Sequence, residues 1–310
     1  MLATPIVEII DDNFDAEIIS AGPSARRLAH KLGVNIEDVA GSGRKSRVSK
    51  EDVEQYVKAR LTTSNFTQTQ NVPAAKVIDF SKFGEIETKP LNKIKKLTGA
   101  SVHYSWTTIP HVTHFDNADI TDLEEFRKAN QDKGVKLTIL AFVCKVVSRA
   151  LEMYPQFNSS LDASLENVIY KKYCNIGIAV ETPKGLVVPV IKNIKNLSVS
   201  EIASEMGRLS SIARDKGLSP ADMSGGTFSI SSLGGIGGSA FTPIVNSPEV
   251  AILGLAKAEI KPVYKDGNFV PRLILPISLS YDHRVIDGAE AARFARNICD
   301  GLSDLRRILL

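Results

Sequence analysis

Two short segments in the C-terminal third of the chain contain side chains that could do chemistry. His283 lies in the run DHRVIDG, four residues before Asp287, and Ser231 lies in the run SISSLGGIGG about fifty residues earlier. An imidazole can act as a general base near neutral pH. A hydroxyl can act as a nucleophile or can donate a hydrogen bond to an oxyanion. Together these groups could serve a reaction in which a base removes a proton and an oxyanion forms.

Each motif taken alone also has a simpler explanation. The pattern HxxxDG is short, and a surface histidine followed by a helix-capping aspartate produces it equally well. The run GGIGG is as typical of a flexible loop as of a site that lets backbone approach a substrate closely. No G-x-S-x-G elbow surrounds Ser231, so the role of oxyanion donor is favoured over that of covalent nucleophile.

The elements that must position these groups can be predicted from the patterns around them. The apolar run LILPISLSYD predicts a strand that ends just before His283, and Asp287 and Gly288 predict a turn into a last helix over Ala289–Leu309. The run GTFSISSL predicts a strand that carries Ser231 to its end. Three further runs, NIGIAVET, GLVVPVI and VAILGL, also predict strands.

Two more helices are predicted between these strands. Residues 137–153 form an apolar helix that ends before Pro155, and residues 198–216 repeat apolar side chains at helical spacing until Gly217. This order predicts an α/β fold with a mixed sheet over residues 79–310. A doubly wound nucleotide-binding fold is not expected, because no GxGxxG opens a helix directly after a strand.

The N-terminal quarter has a different organisation. Residues 1–20 carry five acidic side chains and no basic one, which predicts an acidic linker. Residues 21–61 predict a small domain of two short helices, the first starting at Ser24 or Pro23, with Leu28, Ala29 and Leu32 on its apolar face and Gly33 after it. Ser49 followed by Asp52 predicts a capping box for the second helix. Residues 62–78 are polar and almost uncharged, which predicts a flexible tether.

A basic cluster lies within this small domain. It consists of Arg26, Arg27, Arg44, Lys45 and Arg47. Such a run usually forms a solvated face, and no aromatic or base-reading pattern supports nucleic-acid binding.

The composition excludes several other classes. The formal net charge of +3 gives no reason to expect nucleic acid or membrane as a partner. The three cysteines lack metal-binding or disulfide-type spacing, and no signal peptide or long apolar segment is present, so we expect a cytoplasmic protein. The pair His111 and His114 has no acidic or cysteine cluster beside it, so we expect no metal site.

The motifs together resemble those of a known family. The runs DHRVIDGAEAARF, ISSLGGIGGSAFTPIVNSPEVAILGLAKA and YCNIGIAVETPKGLVVPVIK are similar to the catalytic domain of dihydrolipoamide acyltransferases, the E2 subunits of 2-oxo acid dehydrogenase complexes. That family shares the fold of chloramphenicol acetyltransferase. Residues 21–61 resemble its peripheral subunit-binding domain. The runs IDFSKFGEIE and IPHVTHFDNADIT are most similar to the acetyltransferases of pyruvate dehydrogenase complexes in Gram-negative bacteria.

The resemblance implies roles for the candidate residues. His283 would be the general base that deprotonates the thiol of coenzyme A or dihydrolipoamide, which is chemically reasonable because imidazole and thiol pKa values differ by only about two units. Ser231 would donate a hydrogen bond to the tetrahedral oxyanion, and Asp287 would have a structural or orienting role. The active site would lie between subunits of a homotrimer, and trimers would assemble into a cubic core.

The resemblance also implies partners. Arg26, Arg27, Arg44, Lys45 and Arg47 would dock the acidic surfaces of dihydrolipoamide dehydrogenase (E3) and of the pyruvate dehydrogenase (E1). No lipoyl-lysine motif of the DKA type occurs, so the lipoyl group would come from another domain or chain. Two alternatives stay open, namely a succinyl or branched-chain acyl group, and a non-catalytic scaffold. Such scaffolds typically lack the catalytic histidine, which this chain retains.

Overall fold

The computed structural model describes residues 20–63, 78–131 and 136–309. The chain divides into two compact units, Met1–Ile86 and Glu87–Leu310. Most of the predicted acidic linker (1–19) and of the predicted tether (64–77) lies outside the described residues. Within the described part of the chain, no helix has the length and apolar character needed to cross a membrane.

The small unit contains helices α1 (Pro23–Lys31) and α2 (Lys50–Thr63). The predicted capping box is present, because Asp52 N–H donates to Ser49 Oγ (3.2 Å) and Ser49 N–H donates to Asp52 Oδ2 (2.8 Å). The hydroxyl and the N–H of Ser42 also donate to Asp52. These bonds, that of the Ser42 hydroxyl above all, hold the pKa of Asp52 well below its usual range and tie the loop to α2.

The first helix agrees with its prediction except on its apolar face. It starts at Pro23, and Gly33 follows it with φ +67°, as expected for a C′ glycine. Leu32, however, is 47% exposed, because it is the C-cap residue and its backbone has already left helical geometry. The core of the unit consists of Ala25, Ala29, Val39, Val48 and Val53.

The described residues of the large unit form five further α-helices and eleven strands. The helices are α3 (Lys93–Thr108), α4 (Thr121–Ala129), α5 (Ile139–Met153), α6 (Val199–Asp215) and α7 (Gly288–Ser303). The strands are β1 (His111–Asp119), β2 (Ser159–Leu161), β3 (Val168–Tyr170), β4 (Ile176–Ile178), β5 (Val180–Thr182), β6 (Gly185–Val187), β7 (Val190–Ile191), β8 (Phe228–Ser232), β9 (Ala251–Leu255), β10 (Glu259–Lys265) and β11 (Asn268–Asp282).

Seven of these strands form one mixed sheet. Its order is β1-β11-β9-β8-β4-β7, with β10 pairing with the first half of β11. The β4–β8 and β8–β9 pairs are parallel, and the other pairs are antiparallel. Strands β2–β3 and β5–β6 form two separate ribbons. The predicted α/β fold with a mixed sheet is confirmed.

The core lies between one face of this sheet and helices α5, α6 and α7. Thr138 caps α5 by accepting from Ala141 N–H, and most of the apolar helix is buried. Phe294 of α7 stacks on Phe157 with ring centroids 3.9 Å apart. Side chains alternate across a strand. Because Phe228 and Ile230 of β8 are in the core, Ser229 and Ser231 lie on the opposite face.

Several predicted elements differ from those observed. The run NIGIAVET is not one strand but β4 and β5, and GLVVPVI is β6 and β7, because each run leaves the main sheet to form the β5–β6 ribbon. The last helix was predicted over Ala289–Leu309, but α7 ends at Ser303 and a 3-10 turn follows over Leu305–Leu309. The helices over 137–153 and 198–216 are confirmed within two residues.

Candidate active site

His283 is the first residue after β11, in a short turn that leads to α7. Its N–H donates to Pro110 O (3.1 Å), and the N–H of the preceding Asp282 donates to Val250 O (2.8 Å). The imidazole is exposed and is tilted against the ring of Tyr281, with centroids 5.8 Å apart. Among the described residues, none forms a hydrogen bond with its ring nitrogens. The backbone is therefore fixed while the imidazole is left available for a proton.

An ion pair that the sequence analysis missed holds this turn. Asp282 is 2% exposed and accepts hydrogen bonds from the backbone N–H (3.0 Å) and guanidinium of Arg284, the shortest at 2.6 Å. Charge-assisted bonds of this kind are the strongest in proteins, and they raise the pKa of Arg284. The spacing Asp-x-Arg across His283 was the signal that could have revealed the pair.

Asp287 acts as the N-cap of α7. Its carboxylate accepts from Glu290 N–H (2.8 Å), and its own N–H donates to Glu290 Oε2 (3.2 Å), which completes a capping box. No hydrogen bond joins Asp287 to His283 in the described part of the chain. The geometry therefore agrees with the structural role predicted for Asp287, which acts on the helix that follows the histidine.

Ser231, the second predicted site residue, lies near the end of β8. It is half-buried and lines two adjoining cavities of ≈ 1060 Å³ and ≈ 860 Å³. Beyond β8 the chain turns sharply, and Gly237 (φ +143°) and Gly238 (φ +90°) adopt conformations that favour glycine. The hydroxyl of Ser231 is thus presented to a space large enough for a substrate arm, as an oxyanion donor requires.

Within one chain, Ser231 and His283 lie at opposite ends of the sheet. Ser231 pairs with Gly254 of β9, and Gly254 pairs with Ser278 of β11. His283 lies five residues further along the β11 direction. Two strand spacings and five residues of extended chain separate the two side chains by roughly 15–20 Å. The structure of one chain therefore does not bring the base and the hydroxyl donor together.

His111 and His114 both lie in β1. His111 Nδ1 lies 2.8 Å from Ile109 O, and its Nε2 accepts from Val245 N–H (3.0 Å). Both ring nitrogens are therefore used by the backbone, which fixes the neutral tautomer protonated on Nδ1. No group of three or more potential metal ligands occurs among residues 20–63, 78–131 and 136–309.

The basic cluster of the small unit is exposed along its whole length. Its loop is tight, because Gly43 N–H donates to Arg47 O (3.0 Å) and a side chain on Gly41 would lie 2.2 Å from Ser46 O. Lys45 adopts a positive φ of 62° at the tip. This geometry holds Arg44, Lys45 and Arg47 on one compact loop with their charges in solvent.

The large unit has an α/β fold with a mixed sheet. An exposed histidine follows one strand of this sheet, and a serine hydroxyl beside a large cavity lies near the end of another. These are features of an acyltransferase. The comparison with protein families agrees with this class. Residues 83–310 match the model described as 2-oxoacid dehydrogenases acyltransferase (catalytic domain), and residues 19–54 match the E3 binding domain. The chain belongs to this acyltransferase family, as its motifs predicted.

Curated relatives that share about half of their aligned residues with this chain are all named as the same enzyme component. The chain is 50% identical over 309 residues to the dihydrolipoyllysine-residue acetyltransferase component of the pyruvate dehydrogenase complex of Haemophilus influenzae, covering 94% of this chain and 54% of the relative. It is 45% identical to the component of the same description from Buchnera aphidicola (Acyrthosiphon pisum), covering 98% and 78%. The chain spans about half the length of the first curated relatives it matches.

Solved structures show the same catalytic fold. The dihydrolipoamide acetyltransferase of Azotobacter vinelandii aligns with a TM-score of 0.76 at 50% identity, over 77% of this chain and 100% of that one. A structure of the cubic core of the pyruvate dehydrogenase multienzyme complex aligns with a TM-score of 0.76 at 51% identity, over 77% and 100%. The predicted fold of the catalytic unit is therefore confirmed.

Proposed function

We propose that this chain transfers an acetyl group between dihydrolipoamide and coenzyme A, as the E2 core of a pyruvate dehydrogenase complex. One observation carries the proposal. The Azotobacter vinelandii enzyme was studied for the roles of a serine, a histidine and an asparagine in its catalytic mechanism, and these are separated by 52 and 4 residues. Ser231, His283 and Asp287 have the same separations here.

The proposed mechanism begins at His283. Its neutral imidazole takes the proton of the acceptor thiol, and the resulting thiolate attacks the carbonyl carbon of the thioester. The carbonyl oxygen becomes an oxyanion, which accepts a hydrogen bond from the Ser231 hydroxyl. The tetrahedral intermediate then collapses and expels the second thiolate, which takes the proton back from His283. The lipoyl group is a substrate in this scheme and is supplied by another domain or chain.

The site is proposed to form between copies of the chain. His283 and Ser231 are too far apart in one chain to act on one carbonyl, so the two groups must come from different subunits. Exposed apolar side chains support such contacts, including Phe83, Trp106 and Ile236, which are 82%, 63% and 74% exposed. We propose that copies of the chain form homotrimers and that these assemble further into a cubic core, since the aligned structure is that of a cubic core.

The chemistry can be tested with acetyl-CoA and free dihydrolipoamide. We expect formation of the thioester, a loss of about 10²–10⁴-fold in kcat for His283→Ala, and unchanged activity for the control His30→Ala. His30 is an exposed histidine of the small unit. Absence of transfer, or full activity in His283→Ala, would refute the proposal and favour a non-catalytic scaffold.

The acyl group is tested in the same assay. We expect kcat/KM for acetyl-CoA to exceed the values for succinyl-CoA and isobutyryl-CoA. A preference for either of the other two would keep the mechanism but assign the chain to the succinyl or branched-chain class of complex.

The small unit is proposed to dock E3 and E1 through its basic cluster. Residues 19–54 match the E3 binding domain, and five exposed cations would be attracted to an acidic surface. Neutralising Arg44, Lys45 and Arg47 to Gln should weaken capture of dihydrolipoamide dehydrogenase and reduce its salt dependence. The matched control carries Gln at the exposed Lys216, Lys257 and Lys265 of the catalytic unit. Equal binding by both variants would contradict this assignment.

The cytoplasmic location stays a prediction.

A further inference from the structure

Glu249 is a buried acid for which the proposed mechanism has no use. Its side chain is 4% exposed, and it lies in the segment that leads into β9. Its N–H donates to Asn246 O (2.9 Å), and Asn246 Nδ2 lies 3.4 Å from Glu249 Oε1. The second carboxyl oxygen, Oε2, is buried without a hydrogen-bond partner of ordinary geometry among the described residues.

The segment that carries Glu249 frames the turn of His283. Val250, the next residue, accepts the N–H of Asp282 through its carbonyl oxygen (2.8 Å). Val245, on the N-terminal side of Glu249, donates its N–H to His111 Nε2 (3.0 Å). His111 follows Pro110, whose carbonyl oxygen accepts the N–H of His283. The backbone around Glu249 is therefore joined to both chain segments that hold the histidine.

The carboxyl group itself points to the strand of Ser231. A side chain on Gly226, just before β8, would lie 2.9 Å from Glu249 Oε1, so glycine leaves the room that the carboxyl occupies. Ser229 faces the carboxyl, and its Oγ is also buried without an ordinary partner in the described part of the chain. Ser229 and Ser231 share one face of β8. Both line the ≈ 860 Å³ cavity together with Asn246.

The surroundings favour the neutral form of this acid. Burial raises the pKa of Glu249 to about 7, against smaller opposing effects of the Ser229 hydroxyl, the Asn246 amide and the Lys171 ammonium. Lys171, just after β3, is the charged group that faces it, and burial lowers the pKa of Lys171 as well. The other neighbours present a hydroxyl, an amide and a glycine.

We propose that Glu249 is a positioning residue for Ser231 that works in its protonated form, by joining β8 to the segment that frames His283. The protonated carboxyl donates a hydrogen bond to Ser229 Oγ and holds the cavity wall made by Ser229 and Asn246. Ionisation places an unsolvated charge there, so the wall must open to admit water. The inference rests on the proposed acyl transfer, since Ser231 acts in that reaction.

The pH profile of kcat tests this role in the 310-residue chain. Glu249→Gln has the same shape and stays neutral at every pH. We expect its kcat to lie within about twofold of the wild type at pH 6 and to exceed it by about tenfold at pH 8, one unit above the pKa. The control Glu259→Gln, an exposed acid of β10, should follow the wild type at all pH values.

Two further measurements give the role a direction. Because Lys171 lowers the pKa of Glu249, Lys171→Met should move the alkaline fall of wild-type activity to higher pH, and this variant keeps Glu249 if Glu249→Gln fails to fold. Because the folded pKa is raised, the stability contribution of Glu249 is complete below the unfolded value near 4.5 and is lost as pH rises through about 7. Urea unfolding should show this slope in the wild type and not in Glu249→Gln.

The outcomes separate the two proposals. No acetyl transfer in any variant refutes the proposed function, while the stability slope still reports the ionisation of Glu249. Full transfer activity with superimposable pH profiles for the wild type, Glu249→Gln and Lys171→Met overturns the positioning role and leaves the proposed function intact.

Discussion

The two ends of the large sheet are built for different tasks. At the β11 end, the chain turns sharply and is fixed by the Asp282–Arg284 ion pair, by backbone hydrogen bonds to Pro110 and Val250, and by the cap of α7. At the β8 end, Ser231 stays within a strand ladder and faces open cavities. The first end holds the exposed imidazole of His283 on a fixed backbone, and the second opens onto a cavity.

Within one chain, the two predicted site residues therefore lie apart. The strand pairings account for this, because Ser231 of β8 is level with Ser278 of β11, two strands away, and His283 lies five residues beyond Ser278. The proposed site therefore combines the β11 end of one copy with the β8 end of another.

The largest expected effect comes from removing His283 or Ser231, the two halves of the proposed site. His283→Ala should lower kcat by about 10²–10⁴-fold, and Ser231→Ala by about 10²–10³-fold. If the halves come from neighbouring subunits of a trimer, refolding the two variants together should restore up to about a quarter of wild-type activity, because a quarter of the interfaces then pair an intact histidine with an intact serine.

The control for this experiment is each variant refolded alone, and the measurement is the rate of acetyl transfer to dihydrolipoamide. No recovery of activity in a mixture that assembles normally would contradict the proposed site between two copies, since the two groups would then have to act within one chain.

A smaller effect is expected from the ion pair at the β11 end. Asp282→Asn leaves a buried amide beside Arg284 and removes charge-assisted bonds, so it should lower the free energy of unfolding by about 1–3 kcal/mol. Because the turn should then hold His283 less firmly, kcat should also fall. The measurement is the midpoint of urea unfolding. The control Glu205→Gln breaks an exposed pair with Arg208 and should change stability by less than about 1 kcal/mol. Equal effects of the two variants would show that burial of Asp282 is unimportant.

The smallest effect is expected at the cap of α7. Asp287→Ala should cost about 1 kcal/mol of stability, because Glu290 N–H loses its acceptor. Asp287→Asn keeps an acceptor at the N-cap and should retain both stability and kcat. Thermal unfolding and the transfer assay check these values. A large loss of kcat in Asp287→Asn with unchanged stability would assign Asp287 to the reaction itself.

Local features could be predicted from the sequence with good accuracy. The capping box at Ser49 and Asp52, the C′ position of Gly33 and the helix stop at Gly217 depend on residues only a few positions apart, and the structure confirms all three. The strand before His283 and the helix after Asp287 were also found, because turn residues bound them.

Features that depend on distant residues could not be predicted in this way. The break between β4 and β5 depends on the competing ribbon with β6, and nothing within NIGIAVET marks it. The neutral tautomer of His111 depends on Val245, 134 residues away. The burial of Glu249 depends on Gly226 and on the fold around β8, and nothing in the local run Pro-Glu-Val marks it.

Residue type and short-range hydrogen bonding decide capping, turns and the chemistry that a histidine or a serine can offer, so the sequence is enough to predict these features. The positions of His283 and Ser231 relative to one another depend on the tertiary structure. Strand order and register depend on contacts between residues far apart in the chain, and they place His283 and Ser231 at opposite ends of one sheet.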